Sequence, residues 1–204
     1  MRARQVMGFV LFFCGVANAE PALDRTAVQT FHPGLPAHGK VVEGSCWTGS
    51  LAVPRPDAWR CTVGNEIHDP CFTTTAGSGR LVCGADPASG KAGFILKLTQ
   101  PLPDAGNTSS KGRPWIVQLV GGAVCRPYTG TMPVTDRGAV SFGCVHPGDP
   151  GAAADSCQTG LLADSLQEGT VWTANEVTFC RDPQSETGAT AKKTARVSVA
   201  AVWR

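Results

Sequence analysis

Apolar residues in this chain recur at every second position in short stretches, and no stretch sustains a helical period. Gly169 to Cys180 alternates, with Val171, Thr173, Val177 and Phe179 prominent. Arg196 to Trp203 sets Val197, Val199, Ala201 and Trp203 on one side. Pro114 to Val120 is the clearest strand. Gly121-Gly122 then gives the strongest hairpin signal, and Ala123 to Tyr128 returns. Ala58 to Val63, Arg80 to Cys83, Gly93 to Leu98 and Ala139 to Val145 read as further strands, while Cys46 to Val53 alternates weakly.

Breakers separate these stretches. Pro54-Arg55-Pro56-Asp57 reads as a turn or bulge, because two prolines do not fit a central strand. Gly64-Asn65 and Asp69-Pro70 read as turns, and Pro101 to Arg113 and His146 to Asp155 as loops. Gln158 to Gln167 is expected to form one short helix, and Asp182 to Thr194 a polar, mobile segment. The expectation is an all-β fold with little helix: a single antiparallel sandwich or barrel of about eight or nine strands. It occupies 41–204, behind an irregular Pro/Gly-rich arm at 20–40.

The start of the chain changes the picture. Met1-Arg2-Ala3-Arg4 is basic, Val6 to Val16 is apolar, and Ala17-Asn18-Ala19 supplies small residues before a cut. That three-part pattern is a secretory signal peptide over 1–19. The apolar run is too short for a membrane anchor. Phe12-Phe13 before Cys14 argue against a lipid-anchored cysteine. The expected location is a bacterial periplasm or the extracellular medium.

Cysteine parity agrees. The chain has 9 cysteines, an awkward number for an exported protein until Cys14 leaves with the leader. Cys46, Cys61, Cys71, Cys83, Cys125, Cys144, Cys157 and Cys180 remain, an even set that reads as disulfides. Roughly a hundred pairings are possible for such a set. Neighbours across hairpins are favoured: Cys46–Cys61, Cys71–Cys83, Cys125–Cys144 and Cys157–Cys180. Each would stabilise by roughly 3 kcal/mol in the chain-entropy picture. Zinc ligands usually come as pairs two to four residues apart, and the wider gaps here predict no metal and no cofactor.

Charge says little. Without Arg2 and Arg4, the 18 basic residues fall to parity with the 16 acidic ones. That leaves no electrostatic footprint for nucleic acid or an anionic membrane. Lys192-Lys193 with Arg196 reads as a solvated edge.

Ser45-Cys46-Trp47-Thr48-Gly49-Ser50, Pro54 to Cys61 and Asp69-Pro70-Cys71-Phe72 form a pattern that resembles a group of uncharacterised exported bacterial proteins. Val124-Cys125, Thr129-Gly130 and Val171-Trp172-Thr173-Ala174 are similar as well. The resemblance implies export and a shared fold over most of the chain. It carries no known activity and transfers no site.

Candidate chemistry is sparse. His68-Asp69, near Asn65 and Glu66, and His146 with Asp149 lie in turn-rich segments where a His–carboxylate pair could serve as a general base. No G-x-S-x-G elbow marks a nucleophile for them. Gly84 to Lys91 departs from a phosphate loop in spacing, and Ala92 replaces its Ser or Thr. His32 and His38 lack an acidic or Cys partner in the arm. Arg55, Asp57, Trp59 and Arg60 lie between two cysteines that would hold them rigidly, and arginine forks grip carboxylates. They could recognise an acidic ligand; an internal Arg–Asp pair fixing the turn is the plainer reading. Of the tryptophans, Trp47, Trp115, Trp172 and Trp203 are expected in the core, and Trp59 is the candidate sugar platform. The function expected from these features is non-catalytic recognition of a protein or envelope glycan, as an inhibitor or immunity factor would perform. The alternative is a small exported hydrolase using His68 or His146.

Overall fold

A computed structural model describes residues 23–74, 79–104, 113–149 and 157–204. The expected leader at 1–19 and parts of the expected loops at 101–113 and 146–155 lie outside these residues. The described residues form thirteen strands and no helix.

After β1 (Ala27–Gln29) come β2 (Val41–Gly49), β3 (Ala58–Val63), β4 (Glu66–Thr73), β5 (Arg80–Cys83) and β6 (Phe94–Leu98). The five strands β2 to β6 close into a barrel in chain order. Consecutive hairpin strands run antiparallel, so a ring with an odd number must close on one parallel pair. That pair is β2–β6, in register from Val41↔Ile95 to Gly44↔Leu98. Cys46–Cys61 ties β2 to β3 and Cys71–Cys83 ties β4 to β5, each between residues directly opposite in the ladder. All four cysteines are buried with Trp59, Leu81 and Leu96.

The second half contributes β7 (Ile116–Leu119), β8 (Val124–Pro127), β9 (Val134–Thr135), β10 (Gly138–Val145), β11 (Gln158–Leu162), β12 (Trp172–Arg181) and β13 (Ala189–Trp203). The path β13-β12-β11-β10-β8-β7 returns on itself because β7 also pairs with β13. One 15-residue strand makes this closure. The Ala189 to Val199 part of β13 pairs with β12, and Val199 to Trp203 pairs with β7. Strand β1 adds in parallel to Ala201–Trp203, and β9 pairs with β10. Cys125–Cys144 and Cys157–Cys180 staple this second ring. The four pairs join chain neighbours across hairpins, as hairpin topology favours.

The fold is therefore all-β and disulfide-stapled, but the single sandwich or barrel of about eight or nine strands expected from the sequence is corrected to two closed sheets with thirteen strands among the described residues. Gln158 to Gln167 is not a helix. Its first half is β11, hydrogen-bonded on both sides, and Gly160 sits where any Cβ would meet the Phe142 carbonyl and Val140. Glycine disfavours a helix, and the paired neighbours decide for strand. Asp69-Pro70 lies inside β4, at a register shift opposite Trp59 and Cys61, where a proline's missing N–H costs the ladder nothing. The polar 182–194 segment is corrected too: it turns at Asp182 to Gly188, and β13 then begins at Ala189.

The two barrels meet through one apolar cluster. Ala52, Val53, Ala58 and Phe72 of the first pack on Trp115, Ile116, Ala201 and Trp203 of the second. Phe31 of the arm wedges between them, with ring centroids 5.7 Å from Phe72 and 5.9 Å from Trp115.

Candidate functional site

The candidate site is the cleft along this seam. Asp69 anchors it. The side chain is only 1% exposed and lies 3.4 Å from Arg60 Nη1. Its carboxylate accepts a hydrogen bond from the Ser50 hydroxyl, and one from the Leu51 N–H at 3.0 Å. Ser50 Oγ in turn accepts the Val53 N–H at 2.8 Å. The β2–β3 connection at Ser50 to Val53 is thus folded around the Asp69 carboxylate. Arg60 donates onward to the Thr129 carbonyl at 2.7 Å, which crosses from the first barrel to the loop after β8.

A second tie crosses the seam nearby. Asp86 caps its own turn by accepting the Ala88 N–H at 3.0 Å, and holds Arg126 Nε at 3.0 Å. Between these ties lies a cavity of 330 Å³, lined by His68, Asp69, Asp86, Lys91, Arg126 and the wall of Trp115 among others. A larger cavity of 910 Å³ continues past Leu51, Met132, Phe142 and Trp172. Ala52 and Pro127 line both, so the two cavities join into one groove that opens at the seam and continues over the second barrel, which supplies the lining of the larger cavity apart from Leu51 and Ala52. Leu51, 64% exposed, and Ile67 and Met132 present apolar side chains along it. Tyr128 lies in the larger stretch, and burial pushes its phenol up from the usual value.

The residues expected to carry chemistry are arranged differently from their sequence neighbourhoods. His68 and Asp69 do not pair through their side chains. The His68 imidazole contacts exposed Glu66 at 3.7 Å and meets Phe94 edge-on, while Asp69 turns to Ser50 and Arg60. His146 uses its backbone N–H on Asp149 at 3.0 Å. Its imidazole Nε2 lies 3.1 Å from Glu176 Oε1, yet that buried oxygen has no hydrogen-bond partner among the described residues. The approach is close but off the hydrogen-bond axis, and it becomes an ion pair when the imidazole is protonated. The Ser50 proton is committed to Asp69, so Ser50 does not present itself to His68 as an activated nucleophile.

Arg55 and Asp57 form a two-pronged ion pair, and Arg55 also donates to the Phe31 carbonyl at 3.0 Å and lies over the Phe72 ring. Arg60 supports the seam. Trp59 is buried between the disulfides, and Trp47, expected in the core, is 46% exposed with Arg60 beside its ring. Strand alternation accounts for this: Cys46 points into the barrel, so Trp47, its neighbour on β2, points out. Sequence reasoning passed over Ser50, Asp86, Lys91 and Arg126. Only Asp86 carries a local signal, Asp at the head of the Asp-Pro-Ala-Ser turn.

Comparison with protein-family models, curated proteins and solved structures returned no match to this chain. That is consistent with an uncharacterised group of no known activity, such as the one that Ser45 to Ser50 and the segments after it resemble. Four disulfides suit an oxidising environment. Among the described residues no helix is long and apolar enough to cross a membrane.

Proposed function

We propose that the chain is an exported, non-catalytic binding domain and that a protein partner seats in the groove between its two barrels. The observation that carries this reading is the groove itself, running along the seam of two barrels that are each held by two disulfides. Clefts of a few hundred to a thousand Å³ at such junctions are the usual seats of ligands. The scaffold is preorganised, which lowers the entropy lost on binding. The charges along the groove, the buried pair of Asp69 with Arg60 and the part-exposed pair of Asp86 with Arg126, already tie the structure together and need no reaction to explain them. A protein suits the groove better than a glycan. Trp115 and Trp172 are buried and offer no open face for a sugar ring, whereas Leu51, Ile67 and Met132 offer apolar contacts to side chains. Exposed Lys91 would favour an acidic residue at one end.

The test immobilises the oxidised chain and presents native envelope extract alongside purified cell-wall glycan. The partner protein retained is then purified and its affinity measured by calorimetry. Leu51→Glu and Lys91→Glu are each expected to weaken that affinity at least tenfold, and Lys193→Glu, on the exposed part of β13, to leave it unchanged. Retention of glycan alone overturns the choice of a protein. Affinity that survives both groove substitutions overturns the site.

A further inference from the structure

Two carboxylates line the smaller cavity at the seam, and internal donors already occupy both. Asp69 accepts from the Ser50 hydroxyl and the Ala52 N–H on Oδ1, and from the Leu51 N–H and Arg60 on Oδ2. Asp86 accepts the Ala88 and Ser89 N–H groups on Oδ1, at 3.0 and 3.2 Å, and Arg126 Nε and Nη2 on Oδ2.

The cations of the same lining are not used up. Arg126 gives Nε and Nη2 to Asp86, and its Nη1 has no partner among the described residues. The exposed Lys91 ammonium has neither an acceptor nor an ion pair among the described residues. Its backbone pairs with that of Asp86 in both directions, Asp86 N–H to the Lys91 carbonyl at 2.8 Å and Lys91 N–H to the Asp86 carbonyl at 3.0 Å. Residues directly opposite in such a bridge put their side chains on one face. The Lys91 side chain therefore leaves the backbone beside the Asp86–Arg126 pair. The cavity has spare donors and no spare carboxylate oxygen.

We propose that this cavity is a subsite for one carboxylate, an Asp or Glu side chain of the partner protein, held by Lys91 Nζ and Arg126 Nη1. The subsite rests on the groove being the protein-binding face and names the chemistry it selects. Charge-assisted hydrogen bonds from an ammonium and a guanidinium suit the two oxygens of a carboxylate. Asp86 is the positioning residue: it caps the turn that carries Lys91 and fixes the guanidinium through its other two nitrogens.

Charge sets the class of anion. Lys91 and Arg126 against Asp86 leave one positive charge at the cavity, and Asp69 cancels Arg60. Glu66, against His68, is 82% exposed and screened by solvent. A monoanion completes neutrality, whereas a phosphate dianion would leave negative charge facing two fixed carboxylates. Ile67 at the cavity, and Leu51 and Met132 beyond it, match an acidic side chain flanked by apolar ones.

The test titrates the oxidised, ¹⁵N-labelled full chain with N-acetyl-glutamate amide and follows its amide and arginine Nε–H resonances. Saturable shifts at Lys91 and Arg126 are expected, and none with N-acetyl-glutamine amide, which has the same shape and no charge. Lys91→Gln keeps the backbone bridge and should weaken the glutamate probe about tenfold, as loss of one charged hydrogen-bond partner does. Arg126→Lys keeps the charge and loses the fork, and should also weaken it. Lys193→Glu should change nothing. Equal shifts with the glutamine probe, tighter binding of inorganic phosphate, or unchanged affinity in Lys91→Gln overturns the subsite. Shifts with N-acetyl-glycine, whose only carboxylate is terminal, and none with the glutamate probe overturn the choice of a side chain. Partner affinity that falls in Leu51→Glu and persists in Lys91→Gln overturns the subsite and keeps the groove. Probe binding at Lys91, with partner affinity untouched by Leu51→Glu and Lys91→Gln, keeps the carboxylate site and overturns the groove as the partner's seat.

Discussion

Arg55 and Asp57 face each other through two parallel hydrogen bonds, Nε to Oδ1 at 2.9 Å and Nη2 to Oδ2 at 2.7 Å. The remaining arm of the guanidinium reaches the Phe31 carbonyl and the plane lies over Phe72. One side chain therefore fixes the β2–β3 turn and clamps the N-terminal arm against the seam. Arg55→Lys keeps the charge but loses the fork and the stacking. It is expected to cost about 2 kcal/mol, discounted for the partial exposure of Asp57. Urea unfolding would show this as a lower midpoint at unchanged slope. A midpoint equal to that of the parent protein would remove Arg55 from the seam.

Asp69 is the other organiser. Asp69→Asn retains the size of the side chain but leaves Arg60 without its charge partner, and it replaces one acceptor oxygen with an NH2 donor that faces the Leu51 or Ser50 donor. The expected loss is about 3 kcal/mol, since breaking a buried pair leaves an uncompensated charge. The loss should be accompanied by faster amide exchange at Leu51 to Val53, the segment folded around the carboxylate. Unaltered exchange there would show that the segment stands without it.

Trp47 and Trp59 should respond oppositely to truncation. Trp59→Ala opens a cavity between the two disulfides and is expected to cost about 4 kcal/mol. Trp47→Ala removes an exposed ring and should cost under about 1 kcal/mol. Thermal melts of the two variants compare them directly, and equal losses would contradict the burial described above.

Tyr128 is the only tyrosine in the chain, so its titration can be read without overlap from others. Burial raises its folded pKa above the ordinary value of about 10. A raised folded pKa means that the folded protein holds the proton more tightly than the unfolded chain. The resulting stability is complete below about pH 10 and is lost as pH rises through the folded value. The tyrosinate absorbance of the native protein should therefore appear at higher pH than in denaturant. Tyr128→Phe should lose less stability than the parent in that alkaline window. A native titration coincident with the denatured one would show the phenol to be solvated.

Much of the fold was legible in the chain. The alternation of Val197, Val199, Ala201 and Trp203 announced β13, and Gly121-Gly122 announced the β7–β8 hairpin because both glycines take positive φ there. The candidate site was far less so. Asp69 was visible as half of a His–Asp neighbour pair, but its partners Ser50 and Arg60 are set by the β2–β3–β4 pairing, and its side chain does not pair with that of His68. Trp47 and Trp59 exchange their expected roles because the buried cysteines set the inward face: Trp47 follows Cys46 and points out, whereas Trp59 stands two residues before Cys61 and is buried with it.

The sequence by itself determined the all-β class, the short-strand architecture and an even set of disulfide cysteines, because each is written in residue types and their local pattern. It favoured pairing across hairpins, but only the structure picks that pairing out of the many possible ones. Only the tertiary structure decided that the strands close into two rings. Ring closure rests on pairings between distant segments, Val41 with Ile95 and Trp203 with Ile116, whose side-chain patterns suit an open sheet equally well. The groove, the ties from Arg60 to Thr129 and from Asp86 to Arg126, and the clustering of Cys46, Cys61, Cys71 and Cys83 follow from that closure. They are properties of how the strands meet, and no local stretch of the chain encodes them.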